Sequence, residues 1–113
     1  MADMTATDVS YVIEPYPKGS LLTDKPPRYS NLVSVSFGDG ALTVPSTGIP
    51  LSGIGLGFPE DQVEYVIVVD STDAGSVYFT YDTTNNSLKS ADTSYDSGSA
   101  PAATTLVVLA RGY

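Results

Sequence analysis

Leu-Val-Ser-Val-Ser-Phe, residues 32–37, is the stretch of sequence that predicts the fold. Its apolar residues alternate with two serines, which is the period of a β-strand with one face in a core and the other in solvent. Gly38-Asp39-Gly40 follows, and an Asp-Gly turn between apolar runs is typical of a tight hairpin, because both residue types tolerate a positive φ. The sequence therefore predicts a hairpin, with residues 41–44 as its return strand.

Similar patterns recur along the chain, and no window shows sustained helical periodicity. Runs of β-branched and aromatic residues predict strands at residues 9–14, 63–69, 76–82, 87–90 and 104–111. The run at 63–69 is the most apolar, which favours a place in the middle of a sheet, whereas 87–90 is predicted as a short edge strand. We expect an all-β protein, either a single antiparallel β-sandwich or a small barrel.

The remaining segments predict how the domain is organised. Residues 1–8 are small and polar and predict a flexible arm, which together with the first strand makes an N-terminal unit of residues 1–14. We expect a single β domain over residues 15–113. Residues 15–28 hold four prolines, so they are expected to be extended and outside any sheet interior, and residues 91–103 are expected to form a mobile loop.

Composition excludes most enzyme chemistry. The 113 residues include no cysteine and no histidine, which removes disulfides, thiolate nucleophiles, histidine-based triads and the commonest zinc ligand. Five basic residues against thirteen acidic ones give a net charge of −8, the wrong sign for binding phosphates. No apolar run approaches the ~20 residues that span a bilayer. We expect a non-enzymatic protein that uses no cofactor and binds neither nucleic acid nor membranes.

Three residue patterns in the sequence are candidates for a metal site, a catalytic site or a sugar-binding site. Residues 70–75 place a glycine at the sixth position of a calcium loop, but Tyr81 stands where the bidentate glutamate should be, so we expect a turn and no metal. Glu60, Asp61 and Glu64 could supply a carboxylate pair for glycoside hydrolysis, although an acidic surface explains them equally. The eight tyrosines could line a sugar-binding face or be ordinary strand aromatics.

Residues 1–28 and 45–59 are predicted to form an interaction surface, and residues 63–82 and 104–110 the core. The 45–59 segment carries five large apolar side chains among its glycines and prolines. A domain of this size cannot cover all of them, so they are expected to pack on a neighbouring copy or another partner. The candidate interface residues are Tyr11, Tyr16, Lys18, Lys25, Arg28, Ile49, Leu51, Ile54, Leu56 and Phe58.

Two stretches, residues 25–51 and 77–89, resemble a family of small virion structural proteins of tailed bacteriophages. Members combine a Phe-Gly-Asp-Gly turn with a following Gly-x-Pro-Leu segment, present here as residues 37–40 and 48–51, and a later turn that begins Tyr-Asp-x-x-Asn, here residues 81–85. The resemblance implies a capsid decoration (cement) protein on the outer capsid surface, which binds the major capsid protein and stabilises the head. It also implies a homo-oligomer, expected as a trimer because such proteins commonly occupy threefold positions.

A second reading stays open. The chain could be a carbohydrate-binding or host-adhesion β domain of a virion, part of a tail or head fibre, with exposed tyrosines that stack on sugars. Copy number in the particle separates the two readings, because a cement protein is abundant and an adhesin is present in few copies.

Overall fold

The computed structural model describes residues 3–13, 20–22, 28–71, 78–90, 92–93 and 95–113. Within them, regular structure consists of one 3-10 turn, Ala6–Asp8, and eight strands. The strands are β1 Ser10–Ile13, β2 Ser20–Leu22, β3 Arg28–Phe37, β4 Ile49–Pro50, β5 Val63–Ser71, β6 Thr80–Asp82, β7 Ser87–Lys89 and β8 Thr104–Gly112.

The strands form two antiparallel sheets. The larger sheet has the order β1-β3-β8-β5, and β2 also pairs with β3; the smaller sheet has the order β4-β7-β6. Every pairing between these strands is antiparallel. The predicted all-β, sandwich-like class is confirmed.

Strands β3 and β8 form the centre of the larger sheet. Both alternate strictly between buried and half-buried residues along most of their length. Val33 lies opposite Val108 and Val35 opposite Leu106, and all four side chains are fully buried. Leu88 from β7 in the smaller sheet is also fully buried and belongs to the same core. The core therefore lies between the two sheets.

The predicted hairpin at residues 38–40 is wrong in its pairing, although Gly38 and Gly40 do have the expected positive φ values of 93° and 81°. Strand β3 pairs with β1, β2 and β8, and residues 41–44 do not return along it. The Asp39 carboxylate accepts hydrogen bonds from the N–H groups of Ala41 and Leu42, both at 2.8 Å, which turns the chain away from the strand. The nine-residue partner β8 takes the place that a local return strand would occupy.

The predicted flexible arm is wrong for residues 3–8. Met4 is only 2% exposed, and its N–H donates to the Thr43 carbonyl at 2.8 Å. Asp3 and Thr43 also form an isolated β-bridge. Because β1 follows directly and pairs with β3, residues 3–13 belong to the same β domain as the rest of the described chain. An apolar methionine in a short polar segment is enough to anchor it.

The 45–59 segment supplies core residues, which corrects the predicted interface. Ile49, Leu51, Leu56 and Phe58 are all buried against the chain's own core, three of them completely. The segment is folded onto itself, with the Phe58 N–H donating to the Gly53 carbonyl at 2.9 Å. Of the five apolar residues there, Ile54 alone is exposed, at 66%.

Three further expectations are corrected. Strand β5 pairs with β8 alone among the described strands, so it ends the sheet, and β7 is central in its own sheet. Consequently the predicted core at 63–82 contributes one buried side chain among the described residues, Val66, while Val63, Val68, Phe79 and Tyr81 are partly buried against the core. The predicted mobile loop at 91–103 is anchored by Tyr95, whose buried ring makes edge contacts with Phe37 and Phe79 at centroid distances of 6.3 and 5.3 Å.

The burial of Phe58 predicts a large loss of stability for Phe58→Ala, about 3–5 kcal/mol, because a cavity replaces a completely buried ring. Ile54→Ala, in the same loop, is the matched control and should cost about 0.5 kcal/mol or less, because this side chain is exposed. Chemical denaturation of both variants measures the difference. Equal losses would show that the loop does not belong to the core.

Gly38 and Gly40 share a positive φ but differ in their surroundings. A Cβ at Gly38 would collide with the Ala102 carbonyl oxygen and lie 2.8 Å from the Pro101 oxygen, whereas nothing lies within 4 Å of one at Gly40. Gly40→Ala should therefore cost only the backbone strain of about 1–2 kcal/mol, and Gly38→Ala about 1–3 kcal/mol more. Thermal melting of the two variants tests this; a Gly40→Ala loss as large as that of Gly38→Ala contradicts it.

Candidate interaction surface

The larger sheet exposes an apolar face on the side opposite the core. Directly opposite residues of antiparallel strands place their side chains on the same face. One row across this face is Leu32, Leu109 and Ile67, and a second is Val12, Ser34 and Val107. Their neighbours along β3 and β8, such as Val33 and Val108, are buried in the core, so these rows point outward.

We call the apolar residues of this face the outer apolar patch: Val12, Leu32, Tyr65, Ile67, Val107 and Leu109. Val12 is 63% exposed, Ile67 51% and Tyr65 37%, while the other three are half-buried between neighbouring strands. Val69 lies beside the patch at a bulge in β5 and is 53% exposed. Side chains of this size, adjacent on a sheet face and open to solvent, mark an interaction site more often than a free surface.

Charged groups border the patch at two ends. Arg111 lies opposite Tyr65, and its guanidinium forms an ion pair with the Glu64 carboxylate at 3.4 Å. Asp70 lies opposite Val107 at the other end of β5. An apolar centre with a polar rim is the usual composition of a protein–protein interface.

The sequence-predicted interface residues do not come together. Ile49, Leu51, Leu56 and Phe58 lie in the core, and Ile54 is exposed on the loop. Tyr11 is half-buried on β1; its hydroxyl accepts a hydrogen bond from the Ser52 N–H at 2.7 Å, and burial raises the pKa of the phenol. Arg28 begins β3. Tyr16, Lys18 and Lys25 lie outside the described residues.

The patch residues do not stand out in the sequence, because the apolar run at 63–69 predicts a strand in the middle of a sheet. Its alternate members Tyr65, Ile67 and Val69 are exposed, since β5 ends the sheet. On the same face, β8 contributes Val107 and Leu109, whereas β3 contributes Leu32 among three serines. The available signal is the continuous apolar run of β5 and of β8, in which apolar residues occupy both faces of the strand.

A second candidate surface is an open cleft of about 410 Å³ lined by Tyr78, Thr80, Lys89 and Ser90. Tyr78 is 88% exposed, the most exposed large apolar side chain of the described chain. A smaller cleft of about 190 Å³ lies at the end of β3 and β8, where the Ser36 and Thr105 hydroxyls are 3.0 Å apart. That volume falls below the range of typical ligand sites, and the Tyr78 cleft falls within it.

The turn between β6 and β7 holds the charged groups beside the Tyr78 cleft. Lys89 forms an ion pair with Asp82 at 3.0 Å, and Asn85 donates to the same carboxylate at 2.8 Å. The Asn85 and Lys89 side chains together lower the pKa of Asp82 to about 2. Burial raises the pKa of Tyr81 to about 12, with a further contribution from the charge of Asp82. These bonds fix the position of the lysine.

Two of the three acidic residues that could supply a carboxylate pair for glycoside hydrolysis have partners within the structure. The Asp61 carboxylate accepts a hydrogen bond from the Ile54 N–H at 3.2 Å, and Glu64 is paired with Arg111. Among the described residues there is no group of three or more acidic side chains placed to hold a metal ion. The calcium-loop residues 72–75 lie outside the described part of the chain. In that described part no helix is long and apolar enough to cross a membrane.

Comparison with known proteins gives no relative. No protein-family model, no curated protein and no solved structure matches the chain.

The Asp82 turn gives a test of the site geometry. We predict that the Asp82 carboxyl titrates near pH 2, and that Asn85→Ala raises this pKa more than Lys89→Gln does, because the Asn85 hydrogen bond has the larger effect. Since the folded pKa lies below the ordinary 3.8, this carboxylate stabilises the fold above that pH, and the contribution is lost as the pH falls towards 2. NMR titration measures the pKa; a value unchanged in both variants contradicts the geometry.

Proposed function

We propose that this chain is a non-enzymatic virion structural protein, a capsid decoration (cement) protein that binds the major capsid protein on the outer surface of the head and stabilises it. The observation that supports the proposal most directly is the outer apolar patch on the larger sheet. The resemblance of residues 25–51 and 77–89 to small phage virion proteins supplies the identity of the partner.

The geometry of the patch suits attachment to a large, preformed surface. It lies on β1, β3, β8 and β5, whose backbones are fixed by ladders of antiparallel pairs. A rigid face loses little conformational freedom when it docks, so more of the gain from burying apolar area remains as binding free energy. The exposed side chains Val12, Tyr65 and Ile67 would supply that area.

The charge distribution fits the same role. The chain carries a net charge of −8, yet the centre of the patch is apolar, and the charged residues on this face, Asp70 opposite Val107 and Arg111 opposite Tyr65, lie at its edges. Docking by this face would leave most of the acidic residues in solvent, where they keep the decorated particles apart. The expected homo-oligomer, a trimer, is part of this proposal, and copies would meet at a rim of the patch on the capsid.

The test is binding to heads of the encoding phage that were assembled without this protein. Ile67→Asp should weaken binding at least tenfold, because docking would bury an unpaired carboxylate at a cost of more than ~1.4 kcal/mol. Thr47→Asp is the matched control, because it adds the same charge at an exposed position in the turn before β4, a strand of the smaller sheet. This variant should bind as the unmodified chain does. Co-sedimentation with the heads gives both affinities.

The bound copy number should be proportional to that of the major capsid protein. Particle mass gives this copy number, and light scattering of the free chain gives its oligomeric state. Failure of the unmodified chain to sediment with the heads, or equal binding by Ile67→Asp and Thr47→Asp, would refute the docking face. A few bound copies per particle would favour the adhesin.

A further inference from the structure

The Tyr78 cleft lies on the opposite side of the molecule from the outer apolar patch. In the smaller sheet Tyr81 lies opposite Leu88, which is fully buried, so this pair faces the core. Thr80 lies opposite Lys89, one residue along each strand, so this pair faces away from the core. A chain attached by its larger sheet would therefore present this cleft to the surroundings.

The ring of Tyr78 differs from those of other tyrosines in the described chain. The Tyr81 hydroxyl donates to the Asn86 Oδ1 at 2.6 Å, and the Tyr95 hydroxyl lies 3.2 Å from the Thr104 Oγ1. Tyr78 is 88% exposed. The ring therefore offers a flat apolar surface to a ligand, with a polar hydroxyl at its edge.

The cleft surrounds this ring with short polar groups. Thr80 and Ser90 contribute hydroxyls that also have partners in the chain: the Thr80 hydroxyl donates to the Lys89 carbonyl at 3.5 Å, and the Ser90 hydroxyl oxygen accepts from the Asp92 N–H at 3.1 Å. The Thr80 oxygen can still accept a hydrogen bond from a ligand and the Ser90 hydroxyl can still donate one, and Lys89 has two donors beyond the one engaged by Asp82. The turn beneath them is held in place, because the Asn86 side chain donates to the Leu51 carbonyl at 2.9 Å and accepts from Tyr81. The cleft thus combines one open aromatic face with hydrogen-bonding groups around it.

These groups discriminate between ligand classes. An anionic ligand would meet a lysine already neutralised by Asp82 on a chain of net charge −8. A protein partner would require a larger apolar area than a single ring provides. A neutral sugar fits the single exposed ring and the polar groups around it. The aliphatic face of a pyranose stacks on an aromatic ring, and its hydroxyls form hydrogen bonds with hydroxyl and ammonium groups.

We propose that the Tyr78 cleft is a binding subsite for a neutral saccharide, with Tyr78 as the stacking platform and Thr80, Lys89 and Ser90 as hydrogen-bonding partners. This site is independent of the proposed capsid attachment, since it uses the other sheet and a different face. A decorated head would then carry many copies of a weak sugar site, and multivalency would raise the avidity of the particle for a glycan surface.

The test uses the isolated full chain and a panel of neutral oligosaccharides, namely β-1,4-glucan, chitin-type and mannan-type fragments. Saturation-transfer NMR identifies the bound sugar, and chemical-shift titration of the chain gives its affinity. Tyr78→Ala should reduce the affinity about tenfold or more, whereas Tyr78→Phe, which retains the ring, should bind within a few-fold of the unmodified chain. Tyr65→Ala removes an exposed tyrosine from the outer apolar patch and should leave sugar binding unchanged.

Shifts confined to residues 78–90 on titration, together with this order of variants, would establish the subsite. The proposal is overturned if no sugar of the panel binds, if Tyr78→Ala binds as well as the unmodified chain, or if Tyr65→Ala abolishes binding. Because no capsid is present in the experiment, its outcome does not depend on the docking proposal.

Discussion

The antiparallel pairing of β3 with β8 is the interaction on which the rest of the structure depends. It joins residues 29–37 to residues 104–112 in nine consecutive pairs, so two segments that are far apart in the sequence become neighbours. Strands β1 and β2 pair with the free side of β3, and β5 pairs with the free side of β8. Each side chain of this central pair that enters the core, such as Val35 or Leu106, sets the position at which the smaller sheet packs.

That pairing also determines which surfaces are left open. A strand has only two faces: β8 carries apolar residues on both, and β3 carries Leu32 among serines on its outer face. The smaller sheet has three short strands and covers one face of the larger sheet, so Leu32, Val107 and Leu109 remain on the other. Exposed apolar side chains that are adjacent on one sheet face are the kind of surface at which proteins bind partners. The candidate docking surface is thus a consequence of the number and length of the strands.

Loops complete the core where the strands are too short to do so. Phe58 and Leu56 enter from the loop after β4, Tyr95 enters from the loop before β8, and Met4 enters from the N-terminal segment. A small domain has a high ratio of surface to volume, so each such side chain is a sizeable share of its buried apolar area. Segments rich in glycine, proline and serine are ordered here because most of their large apolar side chains are buried in the core. Among the described residues, the exposed large apolar side chains therefore lie mainly on the larger sheet, with Ile54 and Tyr78 outside it.

The sequence alone determined the all-β class, the strands β1, β5, β7 and β8 and the positive φ of Gly38 and Gly40, because these depend on local alternation and backbone sterics. It did not determine strand order. The Gly38–Gly40 turn predicted a hairpin, but only the tertiary structure showed that β8, some seventy residues away, is the partner of β3. The same holds for the candidate sites: burial of Phe58 and exposure of Ile67 depend on which strand ends the sheet. Residue type fixes whether a side chain prefers to leave water, whereas only the packing of distant strands decides which of the apolar side chains can do so.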